Sequence, residues 1–260
     1  MNWLQAFILG IVQGLTEFLP VSSSGHLELG HAILGVENQE NLLFDLVVHG
    51  GTVLSTIIIF RKDIIDIFKG LFSFKRNEET RFVSKLMLSA LPVGFVGIFF
   101  KEEVESLFGG NLIFVGSMLL ITATLLSFTF FAKTRHKESI SYLDTIIIGV
   151  AQAFAVLPGI SRSGSTIATG ILLGNNKGRV ARFSFLMVLI PIIGANLLEI
   201  LGGEFQGGSV DAFPLVTGFL ASFLSGLAAC KWMIDIVKRG KLIYFAIYCA
   251  VVGLIAIFVG

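Results

Sequence analysis

Long apolar stretches recur along the chain and restrict its choice of fold more than any other feature. A helix needs about 20 apolar residues to cross the hydrocarbon core of a bilayer. Stretches that approach or reach this length occupy Phe44–Phe60, Leu86–Phe100, Leu112–Ala132, Phe183–Leu201, Phe213–Ala229 and Leu242–Val259. Only 14% of the 260 residues are charged, whereas a soluble domain has about 25%. The sequence therefore predicts an all-α polytopic membrane protein with about six transmembrane helices.

The basic residues predict which side of the membrane each connection faces, because Lys and Arg concentrate on the cytoplasmic side. Of the 19 Lys and Arg residues, 17 fall in clusters at Arg61–Lys85, Lys133–Lys137, Lys177–Arg182 and Lys231–Lys241. The connections between them, such as Glu102–Gly110, are acidic or neutral, which assigns them and the carboxyl terminus to the outer side. Since 19 basic residues nearly balance 18 acidic ones, nucleic-acid binding through bulk charge is excluded.

Two further apolar stretches, Trp3–Leu19 and Leu143–Leu157, differ from ordinary spans. The first runs through Pro20 into VSSSGH, and the second runs through Pro158 into GISRSGST. Irregular backbone persists at membrane depth only where protein or a water-filled cavity satisfies its N–H and C=O groups. We therefore predict two re-entrant helical hairpins, the first opening outward and the second toward the cytoplasm. Without a basic n-region or a small-residue cleavage site before Pro20, no cleaved signal peptide is expected.

The chain contains an internal repeat. A shift of 139 positions aligns identical residues in and around the two breaks, including Ser22 with Ser161 and Gly25 with Gly164. Each half, approximately 1–132 and 143–260, then holds one hairpin and three spans within a single membrane domain of residues 1–260. Because the hairpins open to opposite sides, the halves have inverted topology, which is typical of transporter folds with a site at the repeat interface.

Arg162 lies inside a predicted intramembrane break, where a charged side chain is costly and marks a functional site by default. The Gly, Ser and Thr residues around it open a helix, and the N–H groups at a helix N-terminus favour an anion. A guanidinium at that position can bind two phosphate oxygens at once. The alternative is that Arg162 only pairs with an intramembrane carboxylate and joins the two hairpins.

The first break carries groups that complement an anion site. Gln13 and Glu17 are four residues apart and share one helix face, and three serines and His26 follow Pro20. Glu17 is a candidate ligand for a divalent cation or a general base. His26 is a candidate general acid or base or a nucleophile, and a serine hydroxyl is a candidate nucleophile if a base activates it. Alternatively, Ser22 and Ser24 only satisfy the broken backbone.

Other polar residues are weaker candidates. Asp45 and His49, one helical turn apart, either line the same cavity or are solvated near the membrane interface. The sequence has no Walker loop, HExxH motif, CxxC cluster or GxGxxG motif between a strand and a helix. ATP hydrolysis, thermolysin-type zinc chemistry and dinucleotide binding therefore have no support.

Together, the two breaks resemble the undecaprenyl-diphosphatase (bacitracin-resistance protein) family of bacterial inner membranes. The family's [E/Q]xxxE motif matches Gln13–Glu17, its PGxSRSxxT motif matches Pro158–Thr166, and FDLVVHGGT at Phe44–Thr52 extends the likeness. The resemblance implies hydrolysis of undecaprenyl diphosphate to the monophosphate at a site open to the periplasm. It also implies recycling of this carrier lipid for cell-wall synthesis, and bacitracin resistance. With Gln at position 13, a role that needs two carboxylates falls to Glu17 alone.

The resemblance also implies residue roles. The diphosphate is bound by the guanidinium of Arg162 and by neighbouring hydroxyls, those of Ser161, Ser163 and Thr166. Glu17 with Gln13 handles a divalent cation, Mg²⁺ or Ca²⁺, or proton transfer, and Ser23 or His26 is the nucleophile. The expected partners are the polyprenyl substrate and membrane lipids. The resemblance does not decide whether the protein forms a homodimer. The rival function is a transporter or flippase for a lipid phosphate or another anion, which needs the arginine site but no nucleophile.

Overall fold

Helices form almost all of the structure, a computed structural model that describes residues 1–36, 41–73, 77–108, 110–132, 137, 139–194 and 211–260. These ranges contain no strand, and their one β-type pairing is an isolated bridge between Lys137 and Asn175. The helices are α1 (Trp3–Phe18), α2 (Ser23–Leu34), α3 (Asn41–Ile59), α4 (Arg61–Phe72), α5 (Glu78–Phe99), α6 (Lys101–Glu105), α7 (Leu112–Phe128), α8 (Tyr142–Phe154), α9 (Arg162–Leu172), α10 (Lys177–Met187), α11 (189–194), α12 (Ala212–Arg239) and α13 (Ile243–Val259). The predicted all-α class is confirmed.

Several helices are long and apolar enough to cross a membrane. In the described ranges they are α5, α12, and α7 together with the 3₁₀ turn Thr129–Phe131 that follows it. A fourth span results if α3 and α4, which meet at a bend of 72°, count as one. The apolar helices α8 and α13 are shorter. These helices indicate a multi-pass membrane protein, and the predicted number of six spans stays a prediction.

The predicted span Phe183–Leu201 differs most from the structure. Helix α10 ends at Met187, Val188 lies in a turn, and α11 begins after it. Pro191 explains the interruption, because its ring clashes with the carbonyl four residues earlier, at Met187, if the helix continues. Residues 195–201 of this predicted span, and most of the predicted outer connections at 36–41 and 202–211, lie outside the described residues.

Both predicted breaks separate two helices that pack against each other, α1 with α2 and α8 with α9. The two breaks share the same local chemistry. Ser22 caps α2 by accepting a hydrogen bond from Gly25 N at 3.2 Å, and Ser161 caps α9 by accepting one from Gly164 N at 3.0 Å. Serine is a preferred N-cap because its oxygen satisfies an N–H that has no partner in the helix. The predicted change from helix to break to helix is therefore confirmed at both places.

The helix packing places the two breaks side by side. The helix that precedes each break contacts a long helix from the other half of the chain: α1 packs on α12, and α8 packs on α5. Helix α7 packs against α13. The hydroxyl of Ser163, in the first turn of α9, donates to the carbonyl of Leu19 in the first break at 3.2 Å. A Cβ on Gly25 would lie 3.0 Å from the Cα of Gly159. Residues from the two breaks can therefore form one site.

We expect Gly116→Ala to destabilise the protein, because α7 and α13 approach each other backbone to backbone. A Cβ at Gly116 would lie 2.6 Å from the carbonyl oxygen of Gly253. Overpacking of this kind costs about 1–3 kcal/mol, measured as a lower thermal unfolding midpoint in detergent. Gly94→Ala on α5 is the control, because a Cβ there meets no described atom within 4 Å. Equal midpoints for the two variants would contradict this account of the packing.

Candidate active site

Glu17 lies at the centre of the site, near the end of α1. Ser23 Oγ donates to Glu17 Oε2 at 2.6 Å, and Gln13 Nε2 donates to the same oxygen at 3.0 Å. The predicted common face of Gln13 and Glu17 is thus confirmed. The Glu17 side chain is only 10% exposed. Two donors fix the orientation of the carboxylate, and its contact with Ser23 is short enough for proton transfer.

The backbone of Ser22 aims the next residue at this carboxylate. Ser22 has a φ of 70° and is the one residue other than glycine with positive φ in the described ranges. Such a conformation costs about 1–3 kcal/mol and persists only where its surroundings impose it. It precedes the first residue of α2, Ser23, whose hydroxyl reaches Glu17. The hydroxyl of Ser22 itself caps Gly25 N, in keeping with the structural role considered for it.

Arg162 begins α9 and lines one cavity with Glu17, Ser23 and His49. In the described part of the chain its guanidinium makes no hydrogen bond and no ion pair within 4 Å, but its charge attracts the carboxylate of Glu17. The alternative, in which Arg162 only pairs with a carboxylate, is therefore supported by this attraction but not by a direct ion pair among those residues. The half-buried guanidinium, which shares the cavity with the hydrogen-bonding groups of Glu17 and Ser23, is available to bind an anion.

The three hydroxyls predicted to bind substrate also hold the second break in shape. Ser161 Oγ accepts from Gly164 N, Ser163 Oγ donates to Leu19 O, and Thr166 Oγ1 donates to the carbonyl at the start of α9 at 3.0 Å. Ser161 and Ser163 line the cavity with the guanidinium. The structure thus gives these hydroxyls backbone partners, and their contacts with substrate stay a prediction.

Thr122 on α7 supports this break from behind, a role that the sequence analysis missed. Its Oγ1 accepts from Ser161 N at 3.0 Å and lies 3.2 Å from Gly159 O, to which it can donate. Thr122 is buried. Nothing in the local sequence of α7 distinguishes it from other threonines, because its partners are more than 35 residues away.

His26, a candidate nucleophile, forms its hydrogen bonds with Ser22 and Tyr248 and not with Glu17. Its Nδ1 lies 2.8 Å from Ser22 O, and its Nε2 lies 2.8 Å from Tyr248 Oη. Because a carbonyl only accepts, Nδ1 carries the proton and Nε2 accepts from the tyrosine hydroxyl. Both nitrogens are therefore engaged, and His26 is not among the residues that line the cavity. The geometry favours Ser23 over His26 as the group next to a base.

His49 on α3 lines the same cavity as Ser23, although its sequence pattern made it one of the weaker candidates. Its Nε2 lies 3.6 Å from Glu17 Oε2. Its Nδ1 lies 2.9 Å from the carbonyl of Asp45, one helical turn earlier. The spacing of Asp45 and His49 was the available signal, but it could not reveal that α3 brings His49 to Glu17.

An apolar cavity continues from the polar one. Glu17, Arg162 and Ser163 belong to both. The apolar part is lined by side chains from α1, α3, α10 and α11, namely Phe18, Val53, Phe185, Leu189 and Ile192. A polar and an apolar lining therefore adjoin at these three residues.

Residues 6–255 match the model of the family described as Bacitracin resistance protein BacA. The chain belongs to this family. A relative named undecaprenyl-diphosphatase from Bacteroides fragilis (strain YCH46) is 59% identical over 262 positions, which cover 100% of this chain and 98% of that protein. One from Parabacteroides distasonis is also 59% identical over 99% of this chain and 98% of its own. A more distant one, from Methanosphaera stadtmanae, is 39% identical over 99% and 98% of the two chains.

The resemblance to the bacitracin-resistance family implies a divalent cation. The donor atoms at this site fit such a cation. In the described residues no group of three or more His, Cys, Asp or Glu side chains converges on a metal position. Glu17 nevertheless lines the cavity, and the buried Oε1 of Gln13, whose Nε2 contacts Glu17, has no hydrogen-bond partner among them. Mg²⁺ commonly binds one or two carboxylates and completes its shell with water and substrate phosphate. The site therefore suits a cation shared with a phosphate ligand.

Proposed function

We propose that the protein hydrolyses undecaprenyl diphosphate to undecaprenyl phosphate and inorganic phosphate. The observation that carries the proposal is the Ser23–Glu17 hydrogen bond in the same cavity as the guanidinium of Arg162. A hydroxyl on a carboxylate is a nucleophile with its base, and a guanidinium neutralises phosphate charge. The name shared by the relatives, undecaprenyl-diphosphatase, supports the same reaction.

In the proposed reaction, Ser23 Oγ attacks the terminal phosphorus of the diphosphate. Glu17 accepts the hydroxyl proton, the bond to the bridging oxygen breaks, and undecaprenyl phosphate leaves as the phosphoserine forms. Water then attacks the phosphorus of the phosphoserine, and the bond from phosphorus to Ser23 Oγ breaks as Glu17 returns its proton to that oxygen. Inorganic phosphate leaves with the oxygen and one proton of the water, and the other proton passes to solvent. One carboxylate can serve both steps because it is the base in the first and the acid in the second.

Arg162 has the second role, which is to bind the phosphate that is transferred. Its planar donors can engage two nonbridging oxygens together and stabilise the charge that develops on them. A divalent cation bound at Glu17 and Gln13, Mg²⁺ or Ca²⁺, would supply further charge neutralisation. The hydroxyls of Ser161 and Ser163, which line the cavity, would add hydrogen bonds to the phosphate.

The apolar cavity supports a lipid substrate rather than a soluble diphosphate. It begins at Arg162 and Glu17, so the prenyl chain would lie among Phe18, Val53 and Phe185 while the diphosphate stays in the polar cavity. The rival transporter function needs the guanidinium but has no use for a hydroxyl bonded to a carboxylate. The 2.6 Å contact between Ser23 and Glu17 therefore favours hydrolysis.

We further propose six spans in two inverted halves, in a bacterial inner membrane, with the site facing the periplasm. The matched serine caps support the repeat, as do two left-handed glycines at the same offset, Gly35 with φ 63° and Gly174 with φ 84°. The reciprocal packing of α1 on α12 and of α8 on α5 is what a pseudo-two-fold axis between the halves produces. The basic clusters support the orientation.

Purified protein in detergent should release phosphate from undecaprenyl diphosphate when Mg²⁺ or Ca²⁺ is present, and EDTA should abolish the release. A colorimetric phosphate assay measures both. Glu17→Ala, with unchanged elution in size-exclusion chromatography, is the control for a contaminating phosphatase, because the loss of its base should remove activity. No release with either cation would refute the enzymatic proposal and leave transport as the function to test in liposomes.

A further inference from the structure

His49 has the geometry of a metal ligand, which no sequence motif assigns to it. We propose that His49 Nε2 binds the divalent cation together with Glu17, so that the ligands of the cation include one imidazole nitrogen and one carboxylate oxygen. The inference rests on the cation in the proposed function and specifies its ligands. It predicts that the site binds a cation that accepts nitrogen, such as Mn²⁺, more tightly than Ca²⁺, which prefers oxygen.

The first support is the tautomer of the ring. His49 Nδ1 lies 2.9 Å from the backbone carbonyl of Asp45, and a carbonyl cannot donate, so Nδ1 carries a proton. In the neutral ring Nε2 then has a free lone pair. Metal-binding histidines almost always donate their other N–H to a carbonyl or carboxylate in this way. The ring is thus oriented as in known metal sites before any cation binds.

The second support is the distance from Nε2 to the carboxylate. Nε2 lies 3.6 Å from Glu17 Oε2, which is beyond the usual 2.7–3.2 Å range of an N–H···O hydrogen bond. Two ligand atoms that are each about 2.1 Å from one cation are separated by roughly 3.0–3.6 Å. The observed separation is therefore long for a direct hydrogen bond and close to that of two ligands on one ion.

The other described histidines lack this arrangement. His26 accepts from Tyr248 through the nitrogen that would otherwise be free. His31 Nε2 contacts Asp45 Oδ1 at 3.1 Å, and His31 does not line the cavity. Among the three histidines that the structure describes, only His49 therefore faces Glu17 with a lone pair. It would join the Glu17 and Gln13 oxygens of the proposed function as a third protein ligand, and water and phosphate oxygens would complete the shell.

The test is electron spin echo envelope modulation on Mn²⁺ added to the purified protein. A coordinated imidazole produces ¹⁴N modulation, which we expect in the wild type and in the control His31→Gln. We expect His49→Gln to abolish it and to weaken Mn²⁺ binding at least about tenfold. Calcium affinity should change much less, because Gln offers the oxygen that Ca²⁺ accepts.

Several outcomes of this experiment would overturn the proposal. Modulation that persists in His49→Gln, or that disappears in His26→Gln while His49→Gln retains it, assigns the nitrogen elsewhere. Wild-type protein that binds no Mn²⁺, or binds it without nitrogen modulation, also excludes His49 as a ligand. If His49→Gln does not fold, the spectrum is measured on wild-type protein labelled with ¹⁵N-histidine. The modulation must then change from the ¹⁴N pattern to the ¹⁵N pattern. Loss of phosphate release with the nitrogen signal intact would refute only the proposed reaction.

Discussion

Replacement of Arg162 by Ala is expected to lower kcat/KM for undecaprenyl diphosphate by about 10³-fold or more, a loss typical of arginines that stabilise phosphoryl transfer. Arg162 is the one Lys or Arg that lines the polar cavity in the described residues, so no neighbouring cation can replace it. Arg162→Lys should recover little, because an ammonium cannot bind two oxygens in the plane of a guanidinium. Initial rates of phosphate release over a range of substrate concentrations measure the effect.

The loss must come from the missing charge and not from unfolding. The guanidinium makes no hydrogen bond within the described part of the chain, and the N-cap of α9 belongs to Ser161. Arg162→Ala therefore loses only the attraction between its charge and Glu17, and its thermal unfolding midpoint should change little. Arg239→Ala is the matched control, because that arginine is exposed at the end of α12 and far from the cavity in sequence. Near-normal turnover of Arg162→Ala would show that the site has been misplaced.

The breaks were predictable because their causes are local. Proline disfavours the continuation of a helix, and Pro20 and Pro158 lie in the two breaks. Ser-x-x-Gly supplies a cap for the helix that follows. The glutamine and glutamate of α1 share a face because of helix geometry alone. These short-range rules located Glu17, Ser23 and Arg162 as candidates before any packing was known.

What the sequence could not provide depends on distant contacts. Which group meets Glu17 depends on the φ of 70° at Ser22, an unfavourable conformation that local propensity predicts against. That His26 faces Tyr248 depends on α13, 222 residues away. Pro191 could have predicted the interruption near Met187. The span was instead predicted from a window of apolar residues, which takes no account of the clash between a proline ring and the carbonyl four residues earlier. Nearness in sequence therefore favoured His26, while packing brought His49 to the carboxylate.

Ser23→Ala should lower turnover by at least about 10³-fold, since removal of a nucleophile leaves only binding and electrostatic contributions. His26→Gln should lower it less than about tenfold, because a residue outside the cavity affects the reaction only by supporting the start of α2. Glu17→Gln should resemble Ser23→Ala. Since the two side chains act as a unit through their 2.6 Å hydrogen bond, the double variant should be no slower than either single one.

The covalent intermediate decides between the two nucleophiles directly. Substrate labelled with ³²P in the terminal phosphate, quenched during turnover, should leave label on the wild type and none on Ser23→Ala. Phosphoserine survives acid, whereas phosphohistidine is hydrolysed by it, so the label should persist after acid treatment. Acid-labile label that is retained in Ser23→Ala and lost in His26→Gln would assign the attack to the histidine. That result would require the ring to leave Tyr248, since both of its nitrogens are engaged in the structure.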